Sequence, residues 1–275
     1  MELACSTLKE ATELSGLFVK VKEVFASGDL PRVAEMLGMM RRSLALVGDV
    51  PEFKAGRGRL RALEDRLQGM VEGSLSQAGG DAAGSREEED QYVAALAGLL
   101  LAVDRYSTVE ALFLDTRLAF VHSLWEEACT SSEDVLVWLP RFYTRLVPVL
   151  DAESSWCLRV LPQQQQQLMT ALAAAILQKI SKATRERLLA SRLPVAQLPL
   201  LSAEMAAFAR SIMDVLPHEL PGVARTQLLT SLFQPLEEMV SSYPAMELGE
   251  LGSSLTTALA AVRASPTAES SAEHL

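Results

Sequence analysis

Apolar positions recur along this chain at alternating spacings of three and four, the period of an amphipathic α-helix. The first segment shows it most plainly. Ala4, Thr7, Ala11, Leu14, Phe18, Val21 and Phe25 form one stripe over about three heptads, with Lys9, Glu10, Glu13, Lys20, Lys22 and Glu23 on the other faces. Ser27-Gly28-Asp29 ends that helix, and Gly28 suits the residue just past a helix C-terminus. Asp29 can cap the next helix and Pro31 sits in its first turn. The second helix carries Val33, Leu37, Met40, Leu44 and Val47 on one face, and Gly48 to Pro51 break it. A third runs from about Phe53 to Gly73 through Leu60, Leu63, Leu67 and Met70. Short turns between them predict antiparallel neighbours.

The pattern lapses between Ser76 and Asp90, where Gly79, Gly80 and Gly84 precede Glu87, Glu88, Glu89 and Asp90. We read it as a flexible acidic linker or surface loop. Helical spacing resumes at Gln91. Further helices are expected over Tyr92–Val103, Val109–Ala128, Asp134–Leu150 with a kink near Pro140 and Pro148, and Gln163 to about Leu193. Two more follow, over Leu201–Leu216 and Gly222–Val240. No segment alternates with period two, and no Asn-Gly or Asp-Gly hairpin signal occurs. The expected architecture is all-α: a coiled-coil-like N-terminal helix, then an elongated antiparallel bundle or rod. The expected regions are 1–75, helical hairpins; 76–90, linker; 91–262, bundle; and 263–275, disordered tail.

Composition agrees with helices. Only 5% of the 275 residues are aromatic, and Leu, Ala, Val and Met dominate. The net charge of −10 disfavours nucleic acid as a partner. Cys5, Cys129 and Cys157 form no CxxC pair, and so sparse a set suits a reducing compartment. Met1 to Glu13 lacks the basic-then-apolar block of a signal peptide. The longest apolar run, Val93 to Val103, falls well short of the roughly 20 residues that span a bilayer.

Motifs that carry chemistry are scarce. His122, His218 and His274 lie far apart, and no HExxH, GxSxG, GxGxxG or P-loop pattern occurs. Cys129 is the best nucleophile by position, but no base is predicted beside it, and a small buried hydrophobe is the plainer reading. Gly56-Arg57-Gly58 is a lone GxG without a preceding strand. Two basic patches, Lys54/Arg57/Arg59/Arg61/Arg66 and Lys179/Lys182/Arg185/Arg187/Arg192, are exposed helix surface or contacts for an acidic partner or an anionic membrane. We therefore expect no catalytic residue, metal or cofactor. The candidate partner-helix interface is Leu14, Phe18, Val21 and Phe25. The competing reading packs that face on the chain's own second helix through Val33, Leu37 and Met40.

Several stretches resemble a known family. Gly28-Asp29-Leu30, the helix from Met36 to Leu44, the turn Val50-Pro51-Glu52-Phe53 and then Leu60-Arg61-Ala62-Leu63-Glu64-Asp65-Arg66-Leu67 are similar in order and spacing to subunit 7 of the conserved oligomeric Golgi complex. The resemblance continues through Asp104-Arg105-Tyr106 to Leu124-Trp125-Glu126, and returns at Leu232-Phe233-Gln234-Pro235-Leu236, Tyr243 and Glu247-Leu248-Gly249. That family's chain is longer, so the sequence corresponds to an internal or truncated piece, with Gly79–Asp90 as an insertion.

The resemblance implies a non-enzymatic, peripheral tethering subunit on the cytosolic face of Golgi membranes. It implies a role in retrograde intra-Golgi transport and so in keeping glycosylation enzymes in place. The implied partners are the other subunits of that complex, with vesicle fusion proteins and small GTPases beyond them. The alternative is an unrelated all-helical scaffold or adaptor.

Overall fold

The computed structural model describes residues 2–47, 54–78, 86–129, 134–191, 193–217 and 220–264. Among them every regular element is helical and none is a strand: α1 (Glu2–Ser27), α2 (Leu30–Val47), α3 (Lys54–Ala78), α4 (Arg86–Ala102), α5 (Tyr106–Cys129), α6 (Val135–Val160), α7 (Gln165–Ser191), a 3₁₀ turn (Val195–Gln197), α8 (Leu198–Val215) and α9 (Gly222–Ala264). The expected all-α fold is the one found. The expected tail beyond 264 and the centre of the expected linker, 79–85, lie outside the described residues. The helices reach into the rest of that stretch, α3 to Ala78 and α4 from Arg86.

The turns explain the helix order. Gly28 adopts φ 75, the left-handed conformation that closes α1. The Asp29 Oδ1 atom then accepts from the Arg32 N–H at 3.2 Å and caps α2. Between α4 and α5 the left-handed residue is Asp104, at φ 59. There the Arg105 N–H donates to the Leu100 carbonyl at 2.9 Å and the Asp104 N–H to Leu101 at 3.0 Å, the paired bonds of a Schellman cap.

The chain divides into two compact units, 1–116 with 156–163, and 117–155 with 164–275. In the first unit α2 is the central helix, in contact with α1, α3 and α4. Its Val33, Leu37 and Met40 are fully buried. Glu64 of α3 is buried too, and it is held by charge. Arg41 Nη2 reaches its Oε1 at 2.6 Å and Arg105 Nη2 its Oε2 at 3.6 Å. Arg41 also donates to the Val103 carbonyl. The end of α6 joins this unit through Asp90, which accepts from the Trp156 indole N–H at 2.7 Å and from Arg159 Nη2 at 2.5 Å. Trp156 stacks on Phe113, with ring centroids 6.0 Å apart.

The second unit is built on aromatics of α5, α6 and α8 and the aliphatic face of α7. Trp125 meets Trp138 and Phe142 edge-on at 5.3 and 5.1 Å. Tyr143 stacks on Phe208 at 3.7 Å. Leu168, Leu172, Ile176 and Ile180 of α7 are buried, and α9 packs against α7 and α8.

Two helices differ from the expected limits. α6 runs unbroken from Val135 to Val160 through Pro140 and Pro148, past the expected end at Leu150. α9 continues past Val240 to Ala264, through both Pro235 and Pro244. Proline fixes a helix-compatible φ, so each costs one backbone bond and a bend rather than the helix itself.

Candidate interaction site

The stripe predicted for a partner helix is occupied by the chain's own packing. Leu14, Val21 and Phe25 are buried and Phe18 is half-buried. α1 lies on α2, the arrangement of the competing reading. Arg66 of α3 places its guanidinium 4.7 Å from the centroid of the Phe25 ring. A side chain on Gly56 would meet Leu44 Cδ2 at 3.4 Å and Phe18 Cε2 at 3.8 Å. Those are ordinary van der Waals distances, so a β-carbon fits at Gly56, and its GxG neighbourhood is helix rather than a phosphate cradle. A partner helix reaching this stripe has to displace α2.

His122 and Cys129 both lie on the second-unit half of α5. The His122 ring is about half exposed, with its Nε2 3.5 Å from Glu126 Oε1 one turn away. Cys129 is half-buried, and burial pushes its thiol pKa up, only partly offset by the nearby Arg187 and reinforced by Glu126. A raised thiol pKa keeps the sulfur protonated at neutral pH, the opposite of an activated nucleophile. Arg187 is committed to structure: it donates to the Cys129 carbonyl at 2.5 Å and lies 5.2 Å over the Trp138 ring.

Of the basic patches, Arg57, Arg59 and Arg61 on α3 and Lys179, Lys182 and Arg185 on α7 face solvent. His218, His274 and Arg192 lie outside the described residues. Among the described residues no group of three His, Cys, Asp or Glu side chains is placed to hold a metal ion. None of their helices is long and apolar enough to cross a membrane.

Two surfaces went unread in the sequence. One is an apolar groove of about 250 Å³ between α5 and α7, floored by Val121, Trp125, Ile176 and Ile180 and rimmed by His122, Glu126 and Lys179. The other is the distal part of α9, where Leu248, Leu251, Leu255, Leu259 and Val262 are each at least half exposed. Their spacing of 3, 4, 4 and 3 was the available signal. Pro244, Gly249 and Gly252 obscured it, because such residues ordinarily mark breaks.

Both are exposed apolar helix faces. The model of the Golgi complex component 7 (COG7) family matches residues 1–273. The chain belongs to the COG7 family. The conserved oligomeric Golgi complex subunit 7 of Arabidopsis thaliana is 30% identical over 256 residues, covering 80% of this chain and 28% of that protein. The human subunit 7 is 23% identical over 265 residues, covering 91% of this chain and 33% of that protein. The Dictyostelium discoideum subunit 7 is 20% identical over 279 residues, covering 93% and 27%. The chain thus spans about a third or less of these curated COG7 relatives. No solved structure matches it.

Proposed function

We propose that this chain is part of a non-enzymatic subunit of a multisubunit Golgi vesicle-tethering complex. It acts in retrograde intra-Golgi transport and so in retaining the glycosylation enzymes. The observation that carries the reading is the COG7 family match, which runs over nearly the whole chain. The physical chemistry is compatible with it. Long helices whose apolar faces meet other helices supply large contact surfaces, and the positions best placed for nucleophilic chemistry, Cys129 and His122, are an unactivated thiol and an exposed imidazole. The partners in this reading are the other subunits of the complex, reached from the cytosolic face of the Golgi membrane. Vesicle fusion proteins and small GTPases are met through the assembled complex.

The test is a chimaera. The matched stretch of a curated subunit 7 is replaced by this chain and expressed in cells lacking that subunit. Restored lectin staining of mature surface glycans is expected. A chimaera that is stable and reaches the Golgi but leaves the glycans immature contradicts the proposal.

A further inference from the structure

From Glu247 to Arg263 every side chain of α9 is exposed, although the helix is continuous. The segment contains Gly249, Gly252, Ser253, Ser254, Thr256 and Thr257, all modest helix formers. The segment extends the packed half of α9 and is tied back at Glu250, but propensity adds little to its stability and a cover on the apolar stripe would supply what is missing. The stripe is Leu248, Leu251, Leu255, Leu259 and Val262, between 51% and 72% exposed. These five leave on the order of 500 Å² of apolar surface, a large part of the ~800 Å² per partner that a stable interface buries.

The sequence itself states what fits there. Forward from Leu248 it reads Leu248-Gly249-Glu250-Leu251-Gly252-Ser253-Ser254-Leu255. Backward from Val262 it reads Val262-Ala261-Ala260-Leu259-Ala258-Thr257-Thr256-Leu255. Aliphatic matches aliphatic, small matches small and hydroxyl matches hydroxyl about Leu255. The one mismatch, Glu250 with Ala260, falls off the stripe, and Glu250 Oε1 is turned to the Val195 N–H at 2.9 Å.

We propose that this face pairs with the same face of a second copy, antiparallel, with the two-fold axis at Leu255. Leu255 then meets Leu255 of the second copy, Leu248 meets its Val262, and Leu251 meets its Leu259. At 100° per residue, Gly252 and Ala258 come beside Leu259 and Leu251 of the second copy, where their small size admits the larger side chain. An isologous contact of this kind closes as a dimer and exposes no further edge. Charge selects the direction. An antiparallel pair sets Glu247 level with Arg263 of the other copy, whereas a parallel pair sets like charges level. A membrane surface is the poorer occupant, because the exposed segment carries two Glu against the single Arg263, not the Lys/Arg-rich polar face of an interfacial helix.

The test is sedimentation equilibrium of the full chain over a wide concentration range, with three variants. The wild type is expected to approach dimer mass as concentration rises, and Leu255→Glu to stay at monomer mass with unchanged helicity by circular dichroism. Helix axes ~8–10 Å apart with Cα radii of ~2.3 Å put the two Cα atoms at position 255 within disulfide range, so Leu255→Cys is expected to cross-link to itself under mild oxidation. In the antiparallel register the two copies of position 248 are ~21 Å apart, so Leu248→Cys is expected not to cross-link above the wild-type background. Monomer mass for the wild type at every concentration overturns the proposal. So does a dimer that survives Leu255→Glu, and so does self-cross-linking at 248, which marks a parallel pair.

Discussion

Gly28 shows how much of this fold a single residue can set. Its φ of 75 is one that a β-carbon resists, and no neighbour lies within 4 Å of where that carbon would stand. Gly28→Ala is therefore expected to cost about 1 kcal/mol through the backbone alone. Urea denaturation measures this, and an unchanged midpoint contradicts it. Asp104 takes the same conformation, one that Asp tolerates better than most residues, and its Oδ2 lies 3.4 Å from Arg41 Nη1. Two buried or half-buried phenols give the chain an alkaline limit. Burial, then the charges of Glu110 and Cys157, push Tyr106 from 10.0 to about 12. Burial raises Tyr143 further. A raised folded-state pKa contributes stability that is complete below the unfolded value and lost as pH rises towards the folded one. For Tyr106 that window runs from 10.0 to about 12. Thermal midpoints measured across it are expected to fall less steeply for Tyr106→Phe than for the wild type. Equal slopes contradict the assignment.

The helices depend on a few contacts with strongly unequal weight. Glu64 is buried between Arg41 and Arg105, whereas its neighbour Asp65, which pairs with Arg105 Nη2 at 2.5 Å, is 58% exposed. Removing a buried partner strands charge, but removing an exposed one costs little. Glu64→Ala is expected to cost about 2 to 4 kcal/mol because Arg41 and Arg105 lose it together, and Asp65→Ala less than about 1 kcal/mol. Comparable losses for the two variants would sink this account of the contact among α2, α3 and the turn between α4 and α5. The stripes of α1, α2 and α3 were legible because packing on one side leaves a clean 3-4 spacing, and because Gly28 and Asp29 do locally what their types suggest. α6 and the second half of α9 were less legible. Pro140, Pro148, Pro235 and Pro244 look like ends, and nothing local shows that surrounding packing tolerates each missing bond. The pairing of Asp90 with Trp156 and Arg159 was out of reach for a different reason. It joins residues more than sixty apart, and an acidic run beside glycines reads as a solvated loop. Of the proposed interface, the stripe Leu14, Phe18, Val21 and Phe25 was legible as a face. That α2 lies on it was one of two readings that spacing alone leaves open.

At the scale of the whole molecule, helical period leads only to an all-helical fold and names no role. The family was legible in the order of short motifs between Gly28 and Gly249, and the match over residues 1–273 shows it. Because the chain spans about a third or less of its curated relatives, its place in an assembly is the claim that most needs a direct measurement. That measurement is affinity purification of the tagged chain from cells, with the bound proteins identified by mass spectrometry and the Leu255→Glu variant alongside. The account predicts that other subunits of the conserved oligomeric Golgi complex come with both forms. A folded, soluble chain that recovers none of them would contradict it.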